Sequence, residues 1–285
     1  MASHSATSER TSGDAPDGCW MRRPNPADDV VMAVRSEVFM APIVRIALTG
    51  FLTAPLTAGR AWQDARMRTV LPSGTAVEVD ESAGAPAMGL VIAPDIFGLR
   101  PLFDGLVARL ANEWNVRVAA VEPFPGRIFG PDVAERMAAM PHLRDDDHLR
   151  DLVEAADLLG CERTGVMGFC MGGMYCHKTA RSPRFDRIVA FYGMIHVPEA
   201  WRSATQGDPI ELMRGGDPSR VLSIVGSRDP YTPADAVAEL RATGATVVEY
   251  PEAEHGFAHD AARPSHRADD ARDAFDRARQ WLLGA

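Results

Sequence analysis

The sequence predicts an α/β fold: a mostly parallel central sheet with helices on both faces and an N-terminal antiparallel hairpin at one edge. Three observations predict it. From Ala65 onward, short apolar or β-branched runs alternate with segments of helical period. Runs such as Met88 to Ala93 are continuously apolar, as strands covered on both faces must be. Finally, Thr164-Gly-Val-Met-Gly-Phe-Cys-Met-Gly-Gly173 reads as an apolar strand that bends at Cys170 and continues as a helix.

The elements follow in order. Residues 1–64 stand apart from the rest. Met1 to Asp29 is rich in Ser, Asp, Pro and Gly, and Val30 to Leu56 has apolar patches without a clean period. The chain therefore divides into a disordered or weakly structured extension over 1–64 and one domain over 65–285. Met40 and Met67 are alternative start positions. Arg66 to Leu71 and Thr75 to Asp80 flank the turn signal Pro72-Ser73-Gly74 and predict the edge hairpin. After the strand Met88 to Ala93, a helix presents Phe103, Leu106, Val107, Leu110 and Trp114 on one face. Val116 to Val121 is the next strand, and a Pro- and Gly-rich loop with a short helix fills Phe124 to Met140. Leu149, Leu152, Val153, Ala156 and Leu159 mark a helix before the elbow strand Val166 to Phe169. Strands follow at Arg187 to Gly193, Val221 to Gly226 and Thr246 to Tyr250. The helix between the last two is announced by Thr232 as N-cap and Pro233 as its first residue. Ala271, Ala274, Phe275, Ala278, Trp281 and Leu282 form the core face of the closing helix.

Composition narrows the function. The 285 residues are 46% hydrophobic, which excludes global disorder, and the net charge of −9 argues against nucleic-acid or anionic-membrane partners. No run reaches the roughly 18 apolar residues of a membrane helix. Ile46 to Leu56 is apolar but is broken by Pro55 and lies far from the first methionine, so it fits a signal-peptide core poorly. Cys19, Cys161, Cys170 and Cys176 form no C-x-x-C pair or zinc-ligand spacing, and read as reduced thiols of a cytoplasmic protein. A monomer or small homo-oligomer is expected.

The chemistry is expected at the carboxyl ends of the strands. The glycines around Cys170 allow a sharp bend, which sets the sulfur at a helix N-terminus where unpaired N–H groups favour a thiolate. Asp229 follows the strand ending at Gly226, and His255 follows the strand ending at Tyr250. Nucleophile, acid and histidine in this order are the α/β-hydrolase arrangement. A thiol needs a base, supplied by His255, and the imidazole needs its other nitrogen held, supplied by Asp229. The oxyanion needs two fixed donors, the amides of Met171 and Ile96. Each residue also has a plain structural reading: a small buried hydrophobe for Cys170, a turn residue for Asp229, a local hydrogen bond for His255. His259 is the alternative histidine, though its place beyond Phe257 fits less well. Asp145-Asp146-Asp147 reads as a helix-start cluster, Cys161 as structural, and Cys176 as facing away from Cys170.

Four segments, Val91-Ile-Ala-Pro-Asp-Ile-Phe-Gly98, Gly168-Phe-Cys-Met-Gly-Gly173, Gly226-Ser-Arg-Asp229 and Glu254-His-Gly-Phe257, make Arg66 to Leu283 resemble the dienelactone hydrolase family. The resemblance implies an α/β-hydrolase core, no metal or organic cofactor, and hydrolysis of a small ester or lactone through a thioester acyl-enzyme. It places the triad on Cys170, Asp229 and His255 and the oxyanion donors on Ile96 and Met171. Well-known members carry a glutamate where Asp95 stands, holding the thiol at rest. They also carry an arginine, contacting the substrate carboxylate, where His259 stands. Asp95 and His259 are thus candidates for thiol positioning and substrate contact, with Arg100, Arg127 and Arg136 as further candidates for binding an acid. These departures keep open a second expectation, a non-catalytic α/β-hydrolase-fold protein that binds a small ligand. A thiol redox enzyme is disfavoured because no resolving cysteine is placed beside Cys170.

Overall fold

A strand pair opens the domain, β1 (Arg66–Val70) and β2 (Ala76–Asp80), antiparallel and closed by the Pro72-Ser73-Gly74 turn. The computed structural model describes residues 66–284 except Ser82, Ala83, Ala85 and Ala87; the extension expected over 1–64 lies outside them. β2 runs antiparallel to β4 (Arg117–Val121), and from there every pairing is parallel: β3 (Gly89–Ala93), β5 (Thr164–Phe169), β6 (Arg187–Phe191), β7 (Val221–Gly226) and β8 (Thr246–Tyr250). The order is β1-β2-β4-β3-β5-β6-β7-β8. The central strands β3, β5 and β7 are buried at every residue, which is why they read as unbroken apolar runs.

Helices cover both faces. On one, α1 (Pro101–Trp114) and α7 (Ala268–Leu283) meet where Trp114 packs edge-on against Phe275, with ring centroids 6.5 Å apart. The predicted face of α1 is wholly buried. That of α7 is buried except at the half-exposed Trp281, whose indole N–H donates to the Arg220 carbonyl. On the other face lie α3 (Asp145–Leu158) and α4 (Met171–Lys178), joined where His148 meets Tyr175 at 4.4 Å. A short α2 (Val133–Ala139) fills the loop after β4 as the sequence predicts.

Three details differ from the sequence reading. Helix α6 (Ala234–Ala242) starts one residue late, so Pro233 rather than Thr232 is its N-cap residue. Strand β6 stops at Phe191, because Tyr192 turns to a positive φ of 40°. A six-residue helix, α5 (Pro209–Arg214), stands where no element is predicted; Asp208 caps it and Pro209 opens it, but six residues are too few to display a period.

The acidic start of α3 does more than favour the helix dipole. Asp145 turns inward, where its carboxylate accepts from the fully buried Lys178 Nζ at 2.7 Å and from the Gly207 amide at 2.7 Å. Removing the cation leaves a buried carboxylate without its counter-ion. Lys178→Met is therefore expected to lower stability by about 3 kcal/mol, read from the urea unfolding midpoint.

Candidate active site

The elbow between β5 and α4 is built by close approach of backbones. Cys170 takes φ 57° and ψ −117°, a conformation costly for any residue with a Cβ, and its amide donates to the Phe191 carbonyl at 3.0 Å. The bend closes only because its neighbours lack side chains. A Cβ on Gly168 would fall 2.3 Å from the Gly172 carbonyl oxygen, and one on Gly172 would fall 2.0 Å from the Ala93 oxygen. The result seats Cys170 at the N-terminus of α4, buried at 4% exposure, with the start of α4 pressed against the loop after β3.

Parallel pairing of β5, β6, β7 and β8 brings the later loops to the same edge. Asp229 stands three residues beyond β7. One carboxylate oxygen accepts from the Tyr231 amide at 2.8 Å, and the other accepts from His255 Nδ1 at 2.8 Å. The Cys170 side chain acts electrostatically on the same ring. Asp229 and His255 are therefore in direct contact, Cys170 is coupled to the same imidazole, and all three are buried. Burial pulls the His255 ring down, but the charges of the Cys170 sulfur and Asp229 outweigh it and push the imidazole up to about 10. Tyr192 and Tyr231 meet the ring edge-on at 5.2 and 4.9 Å and fix its plane.

The amides of Ile96 and Met171 lie on the two segments that the Gly172 contact presses together, and neither donates to an acceptor among the described residues. Glu122, unmarked in the sequence reading, secures the first of these segments. Its carboxylate accepts from the amides of Leu99 and Phe124, at 2.9 and 3.0 Å, and sits where a side chain on Gly98 would go.

Asp95 is also brought to this edge but is fully engaged elsewhere. It accepts two hydrogen bonds from Arg100, at 2.7 and 2.9 Å, one from the Phe97 amide and one from His259 Nε2 at 2.9 Å. Burial alone would raise its carboxyl. The hydrogen bonds and charges of His259 and then of Arg100 outweigh that and hold it far below the ordinary carboxylate range. Arg100 is consumed in this contact. Arg136 donates to the Gly130 carbonyl and stacks over Phe129 at 4.9 Å, while Arg127 is exposed on the same loop. His259 does not replace His255; its other nitrogen meets the Tyr192 hydroxyl at 2.5 Å. Cys176 is buried inside α4 and its thiol is pushed up by desolvation, so it is not a second redox sulfur. Among the described residues no helix is long and apolar enough to cross a membrane.

The strand order, the strained residue at the β5–α4 elbow, and an acid and a histidine on the loops after β7 and β8 define an α/β-hydrolase. The model of the dienelactone hydrolase family matches residues 75–284, and the chain belongs to that family. Over 107 residues it is 34% identical to carboxymethylenebutenolidase 2 of Cupriavidus pinatubonensis, a match covering 36% of this chain and 44% of that protein. This match thus spans less than half the length of that relative. A protein of Methylorubrum extorquens assigned as a carboxymethylenebutenolidase is 25% identical over 229 residues, covering 75% of this chain and 76% of that one. Among solved structures, a Klebsiella pneumoniae protein assigned as a dienelactone hydrolase superposes with a TM-score of 0.66 at 26% identity. That superposition covers 77% of this chain and 98% of the other.

Proposed function

We propose that this chain is a cysteine-dependent hydrolase of small carboxylic esters or lactones that works through an acyl-enzyme on Cys170. The observation that carries the reading is the position of His255, hydrogen-bonded through Nδ1 to Asp229 and electrostatically coupled to the Cys170 sulfur at the elbow. The sulfur attacks the carbonyl carbon, and the oxyanion is held by the amides of Ile96 and Met171. As the intermediate collapses, the ester oxygen leaves and takes the proton carried by His255, giving a thioester. That step changes the base. With the sulfur acylated, the largest influence raising the imidazole is gone, while burial still pulls it down. The neutral ring then accepts a proton from water, which attacks the thioester and releases the acid. Asp229 holds Nδ1–H throughout and so keeps the reactive nitrogen toward the sulfur. A thiol nucleophile also suits a reducing compartment, which supports a cytoplasmic location.

The pairing predicts a pH signature. An ordinary thiol with pKa near 8.5 is only about 0.3% ionised at pH 6. Here the raised His255 sets a cation beside the sulfur. Cys170 should therefore react with iodoacetamide at pH 6 at least tenfold faster than a free thiol, and His255→Asn should abolish that advantage. Peptide-mass analysis of alkylation against pH checks this. A profile rising only above pH 8 would contradict the reading.

A further inference from the structure

The last paired residues of β7 and β8 are Gly226 and Tyr250, yet Asp229 lies three residues beyond the first and His255 five beyond the second. The two arms can meet only if the longer one takes up its two extra residues. A tight turn over Tyr250-Pro251-Glu252-Ala253 does this, closed by the Ala253 amide donating to the Tyr250 carbonyl at 3.3 Å. Glu252, its third residue, stands at φ 62°, where such a turn ordinarily carries glycine. A residue with a Cβ keeps that conformation only when its surroundings impose it. Three contacts from the Asp229 arm tie the turn down. The Ser227 amide donates to the same Tyr250 carbonyl at 3.0 Å, and the Arg228 amide donates to the Ala253 carbonyl at 3.0 Å. The third reaches the strained residue itself: the Ser227 hydroxyl accepts from the Glu252 amide at 2.9 Å. The backbones are close beneath these bonds, since a Cβ on Gly226 would fall 2.3 Å from the Ala253 oxygen. The Arg228 guanidinium also pairs with the Glu252 carboxylate, but both are exposed and such pairs hold little.

We propose that Ser227 is a positioning residue: by holding the Glu252 amide, its hydroxyl imposes the left-handed turn that brings His255 onto Asp229. The effect travels through the backbone. Only Ala253 and Glu254 separate the strained residue from the histidine, and Ala253 is fully buried against Gly226. A return of Glu252 to an ordinary negative φ therefore swings the imidazole, and Nδ1 leaves the carboxylate that it meets at 2.8 Å. The role in turnover rests on Cys170, His255 and Asp229 being the catalytic groups; the Asp229–His255 contact that Ser227 holds does not depend on that reading.

Two readouts test it, and Ser227 is exposed, so its variants should fold. The first is turnover of p-nitrophenyl acetate. Ser227→Ala should lower kcat about tenfold and leave KM within about twofold, the pattern of a misplaced catalytic group. Ser227→Thr, which keeps a hydroxyl acceptor, should stay within about threefold of wild type. Adding Glu252→Gly to Ser227→Ala should restore most of kcat, because glycine holds a positive φ without help. A merely structural lesion would instead deepen when a flexible residue is added. The second readout needs no turnover. The proton on His255 Nδ1, followed in proton–nitrogen spectra of histidine-labelled protein, should exchange with water about tenfold faster in Ser227→Ala than in wild type. The double variant should return it toward the wild-type rate. The inference is overturned if Ser227→Ala leaves the exchange rate unchanged, or if the double variant stays as impaired as the single one. It is also overturned if exchange quickens in an active enzyme while kcat holds. If Cys170→Ala turns over the ester as fast as wild type, the hydrolase reading fails, and the exchange series alone decides whether Ser227 holds His255 on Asp229.

Discussion

Cys170→Ala should lower kcat/KM for p-nitrophenyl acetate or a small lactone by about 10⁴-fold or more, leaving only what the oxyanion donors and binding supply. Every other group at this edge acts on a species that the sulfur creates. In the proposed mechanism the Ile96 and Met171 amides stabilise an oxyanion that forms only on attack, and His255 has no acyl-sulfur bond to cleave without it. The fold should survive. Cys170 is almost fully buried but small, and alanine keeps the same Cβ at the same positive φ, so the elbow strain is unchanged. The thermal midpoint should therefore move by only a few degrees while turnover disappears. Equal turnover by wild type and the alanine variant would remove the acyl-enzyme mechanism and leave a family member that binds rather than cleaves.

The placement of Cys170, Asp229 and His255 at one sheet edge was legible in the sequence because each sits within a few residues of a strand end, and strand ends are marked by local pattern. Gly226 to Asp229 and Tyr250 to His255 are short enough that parallel pairing of β7 with β8 fixes where the side chains arrive. Asp95 shows where local reading fails. Its position after β3 was plain, but its partners are Arg100 on its own loop and His259 and Arg263 on the loop after β8, and only packing brings those two loops together. Tyr192 was missed for a similar reason. It reads as part of the apolar strand expected over Arg187 to Gly193, and nothing local marks the positive φ that turns its ring toward two histidines. Glu122 reads as an ordinary strand-end carboxylate until the loop carrying Ile96 folds over it. Asp145 belonged to a helix-start cluster by sequence, and its inward turn depends on Lys178, 33 residues later.

The glycines of the elbow carry the other large expectation. Gly172→Ala should destabilise the domain by more than about 4 kcal/mol, or prevent soluble expression. The added Cβ would lie 2.0 Å from the Ala93 carbonyl oxygen, 2.4 Å from the Pro94 oxygen and 2.5 Å from the Ala93 carbonyl carbon. All three are backbone atoms at the buried end of β3 and the residue after it, so no side chain can swing aside. Relief requires the start of α4 to retreat by roughly 1.5 Å, the amount needed to restore ordinary van der Waals separation. That retreat carries the Met171 amide away from the loop bearing Ile96, so the oxyanion site opens at the same time. Any folded fraction should then lose about 10²-fold in kcat, as when one oxyanion donor is removed, with little change in KM. Gly105 supplies the control. It is exposed on α1 and a Cβ there would meet nothing within 4 Å, so Gly105→Ala should raise stability by up to about 1 kcal/mol through helix propensity alone. Thermal unfolding of the two variants should therefore move in opposite directions. A Gly172→Ala protein that melts like wild type and turns over at the same rate would mean that α4 does not rest against β3 as closely as the oxyanion geometry requires.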